Sequence, residues 1–168
     1  MGENLYCISE DDLEVVQYSV LANPNEIRGE TIGRYKKSSK QFSVTNFRNR
    51  AIIIIGGQRR FRTTKTVLSF SPLKRSFTKL AALNESRHSH ATCELDGKLY
   101  VFGGLTKLGN YVKSVERIDL VAQESEWTKF IPTFYSNIRK PFKHHPLQAT
   151  NPLACPIGGG IIMVLRGD

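Results

Sequence analysis

An all-β fold assembled from repeated, antiparallel four-stranded units is what this 168-residue sequence predicts. Three observations carry that expectation. Short apolar runs, most of them closed by small residues, recur at Leu5–Ser9, Ile52–Gly57, Leu99–Gly104 and Ile161–Gly167. The interval from Glu10 to Gly57 equals that from Gly57 to Gly104, a period of roughly 50 residues of the kind that marks repeat architectures. The interval to Gly167 is longer because an insertion lies between Ile131 and Thr150. Second, the runs are rich in β-branched and aromatic residues and alternate with period two, and no window shows the helical period of about 3.6. Third, Asp96-Gly97 stands between two such runs, and this dipeptide suits a tight hairpin whose two turn positions both need φ > 0.

Each unit can be followed along the chain. In the first, Leu5–Ser9 is followed by the alternating run Leu13–Val20, and Tyr35 is the aromatic of Gly33-Arg34-Tyr35. In the second, Ile52–Gly57 leads to the strand Thr66–Phe70, a turn at Pro72–Arg75 and Phe77 within Ser76–Leu80. In the third, Ala91–Leu95 turns into Lys98–Phe102. Gly103-Gly104, the strand Ser114–Leu120, a turn at Ala122–Ser125 and Trp127 within Glu126–Phe130 follow. The expected organisation is one domain over 1–168, with repeat segments at roughly 1–40, 41–87, 88–147 and 148–168.

Composition narrows the class. A hydrophobic share of 40% supports a core and excludes wholesale disorder. No apolar run approaches the roughly 20 residues of a membrane helix, so no membrane association is expected. The start Met1–Tyr6 lacks the basic and apolar stretches of a secretory signal. Three separated cysteines make no disulfide framework, and a reducing, cytoplasmic setting follows as the default. The net charge of +9 is unevenly placed. Before Arg28 there are carboxylates and no Lys or Arg; from Arg28 to Lys79 the only acidic residue is Glu30. Such a stretch suits nucleic acid, an anionic surface or an acidic protein.

A glycine pair closing an apolar strand, an aromatic about 20 positions later and an Arg about ten beyond that together resemble the kelch repeat. The clearest copy runs from Gly56-Gly57 through Val67, Phe77 and Arg87 to Tyr100 and Gly103-Gly104. Ser9-Glu10 and Arg166-Gly167 replace the glycine pair in the outer copies, and Tyr35 and Phe77 stand where the family prefers Trp. The resemblance implies a partial kelch-type β-propeller of about three repeats. It also implies structural roles. Gly56, Gly57, Gly103 and Gly104 would give room near the axis, Phe77 and Trp127 would pack between blades, and Arg87 would tie strand to loop by hydrogen bonds. A phosphate-cradling role for the glycines would need a helix immediately after them, where the sequence reads as loop. A partner contact is the other reading of Arg87.

In such units the loops after the second and fourth strands share one face. That face receives Gln58–Thr64, Leu105–Tyr111 and the long segment from Ile131 to Thr150. The residues expected to bind a partner there are Arg59, Arg60, Arg62, Lys107, Tyr111, Tyr135, Arg139, Lys140 and Lys143, since long basic and aromatic loops on a rigid scaffold are where binding concentrates. The expected function is a non-enzymatic protein-interaction module of scaffold or adaptor type, with an acidic protein as partner. Nucleic-acid binding by the basic stretch is the alternative, followed by a metal-dependent oxidase on a propeller scaffold. The oxidase needs a Tyr-Cys-His constellation that no spacing here selects, and neither a metal nor a cofactor is expected. About three units are too few for a closed ring, and open units leave strand edges unpaired. The rest of a longer chain, further copies or partners would then complete the ring.

Overall fold

The structure, a computed structural model, describes residues 4–10, 12–20, 27–37, 39–131, 152–158 and 161–165. Among these there is no helix, and the strands form four successive antiparallel sheets and one short hairpin, as in a partial propeller. The first sheet holds β1 (Asn4–Ile8), β2 (Glu14–Val20) and β3 (Ile27–Arg34), in that order. The second orders β4 (Ser43–Phe47), β5 (Ala51–Ile55), β8 (Val67–Ser71) and β9 (Ser76–Lys79). Between β5 and β8 a hairpin of β6 (Gln58–Arg59) and β7 (Arg62–Thr63) projects from the loop. The third sheet orders β10 (Ala91–Leu95), β11 (Lys98–Phe102), β12 (Val115–Asp119) and β13 (Thr128–Phe130). β14 (Leu153–Gly158) and β15 (Ile161–Leu165) make the fourth, with a bulge between Pro156 and Gly158.

The unbroken isoleucine run of β5 has a direct cause. Successive side chains of a strand point to opposite faces, so a strand covered on both sides is apolar throughout. Ile52 and Ile54 face the first sheet, where Val15, Ile32 and Leu13 are buried. Ile53 and Ile55 face the third, against Leu99, Val101, Ile118 and Trp127. The third sheet meets the fourth through Ala91, Cys93, Phe102 and Val115, against Ala154, Ile162 and Val164. Each large side chain so buried contributes about 1.5–3 kcal/mol. Trp127 is buried on the second sheet, and its indole N–H donates to the Ala81 carbonyl at 2.9 Å. Half-buried Phe77 lies with its ring centroid 4.7 Å from Phe70 and 5.4 Å from Tyr35, between the second and first sheets.

The Asp96-Gly97 turn has φ of 52° and 80°, and its glycine N–H donates to the Glu94 carboxylate at 2.7 Å. Among the described residues the second and third sheets have four strands, the first three and the fourth two, in keeping with a partial propeller of antiparallel units. None of these residues pairs with the edge of β1 that corresponds to the edge of β5 taken by β4. One expectation needs correction: Gln58–Thr64 is not a plain loop. Arg60 and Phe61 take φ of 45° and 63° and close a two-residue hairpin without the Asn-Gly or Asp-Gly signature that would have announced it. Where the first unit has Glu10 in place of a glycine, the Glu10 carbonyl accepts from Ser39 N–H at 3.2 Å and its carboxylate from Gln41 N–H at 3.0 Å. No helix among the described residues is long and apolar enough to cross a membrane.

Candidate functional site

The loops that follow β5 and β11 leave from the same end of adjacent sheets, and glycine pairs make their first turn possible. Gly56 and Gly57 have φ of 62° and 95°, and Gly103 and Gly104 have 59° and 90°, a region where a side chain is strained. Space excludes side chains as well. A Cβ on Gly56 would lie 2.6 Å from the Arg87 carbonyl oxygen, and one on Gly104 would lie 2.5 Å from that of His88. The approaching backbone is the segment entering β10, which donates and accepts across the gap. Gly57 N–H donates to Arg87 O at 2.9 Å, and His88 and Leu105 exchange both backbone bonds at 3.1 and 2.9 Å. The β6–β7 hairpin is held from both flanks in the same way. Lys40 and Gln58 exchange backbone bonds at 2.9 and 2.7 Å, and Thr63 Oγ1 donates to Ser86 Oγ at 3.0 Å.

Arg87 lies beneath these loops and is fully buried. Its Nη1 donates to the carbonyls of Gly103 and Ser114, each at 3.0 Å, and its Nη2 to Ser114 Oγ at 3.0 Å and Glu116 Oε1 at 2.7 Å. Glu116, equally buried, accepts the backbone N–H groups of Asn84 and Glu85 in return. Burial leaves the Arg87 guanidinium pKa below its usual range, with the charge and hydrogen bond of Glu116 offsetting only part of the shift. Burial raises the Glu85 carboxyl, but the bond and charge of Lys129, 2.9 Å away, with help from Ser114 and Arg87, leave it lowered. One network thus ties the start of the β11–β12 loop, its end and the strand entry before β10.

Glu116 was not singled out in the sequence, although a signal existed. Alternation along β12 places Glu116 on the same face as Ile118, which is in the core. A carboxylate in phase with a core face needs a buried cation, and Arg87 is the one that reaches it.

Upon this base sit the basic residues. Arg60 and Arg62 are exposed, and they flank Phe61, which is 86% exposed at the hairpin tip. Arg59 is half-buried and lines a small cleft of about 100 Å³ with Lys37, Ser39 and Thr64. In the neighbouring loop Lys107, Leu108 and Tyr111 are exposed. That loop is braced by Thr106 N–H to Asn110 O at 2.9 Å and Gly109 N–H to Thr106 O at 3.0 Å. Neither Gln58–Thr64 nor Leu105–Tyr111 contains a carboxylate, and no described acid forms an ion pair with Arg59, Arg60, Arg62 or Lys107. Tyr135, Arg139, Lys140 and Lys143 lie outside the described residues.

Among the described residues no three His, Cys, Asp or Glu side chains converge on a possible metal position. Cys7, Cys93 and Cys155 are free thiols; burial, with Cys155 and Glu94 nearby, pushes the Cys93 thiol up to about 12. His90 lies between the glycine pairs of two sheets, close against Gly56 and Gly104, with Nε2 2.7 Å from Ser43 Oγ. Full burial, reinforced by the charges of Arg87 and His88, lowers its pKa to about 3.

A pH dependence follows. A histidine whose folded pKa is depressed leaves stability intact above the unfolded value near 6.5. That stability is lost as pH falls from there toward 3, because the unfolded chain takes the proton first. His88, lowered by burial as well, acts in the same direction. Urea unfolding between pH 7.5 and 5 should show stability falling by up to about 1.4 kcal/mol per pH unit for each such histidine. His90→Gln should reduce that slope, and a flat wild-type profile would contradict the burial of a neutral imidazole. Glu14, Glu85 and Asp119, all lowered, weaken the fold only at more acidic pH.

The family model for the kelch motif matches residues 86–130, from the segment carrying Arg87 to the end of β13. No curated protein matches the chain.

Proposed function

We propose that this chain, a kelch-repeat protein by the motif at residues 86–130, binds an acidic protein partner on the face formed by its β5–β8 and β11–β12 loops. Kelch repeats are in general protein-interaction modules and typically non-enzymatic. The finer reading, a scaffold or adaptor that takes an acidic partner on this face, rests on one observation above all. Arg59, Arg60, Arg62 and Lys107 pair with no described carboxylate and stand around exposed Phe61, Leu108 and Tyr111, on loops whose backbones are braced at both ends. Unneutralised charge steers an oppositely charged surface and fixes its orientation, while the aromatic and aliphatic tips supply desolvated contact area.

The triple change Arg59→Ser, Arg60→Ser and Arg62→Ser tests this. Partner capture by the wild type should weaken with added salt, since exposed charges are screened beyond about 10 Å at 0.1 M. The triple variant should bind on the order of tenfold more weakly at low salt and approach the wild type at high salt. Equal binding at every salt concentration would remove the loop face from the interaction. A gel shift with duplex DNA runs beside it. Retardation that fades steeply with salt, lost in the same variant, would transfer the reading to nucleic acid.

A further inference from the structure

The small cleft that Arg59 lines differs from the exposed loop tips around it. It opens where the first and second sheets meet, and its volume is about 100 Å³. Three cations line it, each from a different element. Lys37 follows β3, Arg59 belongs to β6 and Lys79 ends β9. The register fixes where Lys79 points. Ile54, Leu68 and Lys79 are paired in a row across β5, β8 and β9, so they share the face turned to Leu13 of the first sheet. Lys37 reaches the cleft from the other side. Two residues before it, the Tyr35 N–H donates to the Leu13 carbonyl at 3.4 Å and ties that segment to the first sheet.

Nothing among the described residues balances these charges. No described carboxylate lines the cleft, and none forms an ion pair with Lys37, Arg59 or Lys79. The hairpin adds to the imbalance. Arg59 stands directly opposite Arg62 in its register, and like charges facing each other across a strand pair are destabilising. That unfavourable pair is held in place, because the backbone of Gln58, next to Arg59, is bonded twice to Lys40. An anion seated in the cleft would relieve the repulsion and meet charged donors from both sheets. The Thr66 hydroxyl lines the same space.

We propose that this cleft binds the phosphoryl group of a phosphorylated serine or threonine carried by the partner. Charge selects the group. A carboxylate brings a single negative charge to three cations, whereas a phosphorylated side chain brings about −1.5 to −2 at neutral pH, on three acceptor oxygens. The Arg59 guanidinium offers a planar fork for two of those oxygens, and Lys37 and Lys79 act as point charges on the remainder. Size selects the carrier. Benzene occupies a cavity of about 150 Å³. At about 100 Å³ this cleft is smaller, so it admits a phosphoryl group and excludes the ring of a phosphotyrosine. This rests on the reading of the loop face as a partner-binding surface and names one group that the partner presents there.

The test uses the full chain and a short labelled peptide of glycine and alanine with phosphoserine at its centre. Fluorescence anisotropy should saturate at a single site, and inorganic phosphate should compete. Versions with serine, glutamate or phosphotyrosine at the centre should bind on the order of tenfold more weakly. Lys37→Ala and Lys79→Ala, both at exposed positions, should each weaken the phosphoserine peptide about fivefold, and Arg59→Ser about tenfold, with an unchanged far-UV spectrum. Lys74→Ala, in the β8–β9 turn at the opposite end of the second sheet, should leave binding as it is. No saturable binding, equal affinity for the glutamate or phosphotyrosine peptide, or binding indifferent to Lys37 and Lys79 would overturn the proposal. Inorganic phosphate that binds more tightly than the peptide would overturn it in favour of the free anion. Duplex DNA that displaces the peptide at lower phosphate concentration would overturn it in favour of nucleic acid. Lys37 and Lys79 lie outside the triple-arginine variant, so the two readings fail separately. Partner capture that falls in the triple variant while the peptide does not bind removes only the phosphoryl site. Capture unmoved in the triple variant removes the partner as its carrier.

Discussion

Arg87→Met is expected to destabilise the protein by about 3–5 kcal/mol, the usual loss when one member of a buried ion pair is removed. The substitution leaves Glu116 fully buried with its charge uncompensated, and it takes the donors from the carbonyls of Gly103 and Ser114. Glu116→Leu should cost a similar amount by stranding the guanidinium and the N–H groups of Asn84 and Glu85. The double variant is informative. A bare buried pair can often be exchanged for apolar residues with little loss. Here the pair also bridges four backbone groups, each costing about 1–3 kcal/mol when left unsatisfied. The double variant should therefore be less destabilised than the two singles summed, yet remain well below the wild type. Urea unfolding followed by circular dichroism decides it. A loss under about 1 kcal/mol for Arg87→Met would mean the network does not hold the loops. Because that network fixes both ends of the β11–β12 loop, Arg87→Met should also blur the arrangement of Lys107 and Tyr111.

Trp127→Ala should be comparably damaging, at about 3–5 kcal/mol. The ring is buried among Ile53, Ile55, Leu83 and Leu99, at the contact that holds the second and third sheets together. Its loss leaves a cavity in that contact and an unpaired carbonyl at Ala81. Trp127→Phe separates the two effects. It refills most of the volume but cannot donate, so its cost should fall to about 1–3 kcal/mol, the range for a buried acceptor left unsatisfied. Trp127 is the single tryptophan, so wild-type fluorescence reports this one interface during unfolding. A Phe variant as unstable as the Ala variant would place the energy in the hydrogen bond rather than in packing.

Much of the fold was legible from local patterns. Glycine pairs at φ > 0, alternating apolar residues and the Asp96-Gly97 turn are constraints that act within a few residues, so they leave a readable trace. The isoleucine run of β5 was likewise readable as a strand, though only the packed sheets show that both its faces are covered. The β6–β7 hairpin escaped notice because Arg60 and Phe61 occupy turn positions that sequence patterns reserve for glycine or asparagine. Arg59, Arg60, Arg62 and Lys107 were visible as residue types, but that no described carboxylate pairs with them was not, because it depends on which acids the fold brings near. Nor was Glu116 matched with Arg87, 29 residues away in the chain.

The amino-acid sequence alone thus determined the repeated β unit and the turns that end its strands, since those follow from side-chain alternation and backbone sterics over short spans. Tertiary structure alone decided which buried charges meet, which sheets cover both faces of β5 and, among the described residues, which cations find no carboxylate. Each of these depends on the position of segments far apart in the chain, and residue order does not encode that position locally.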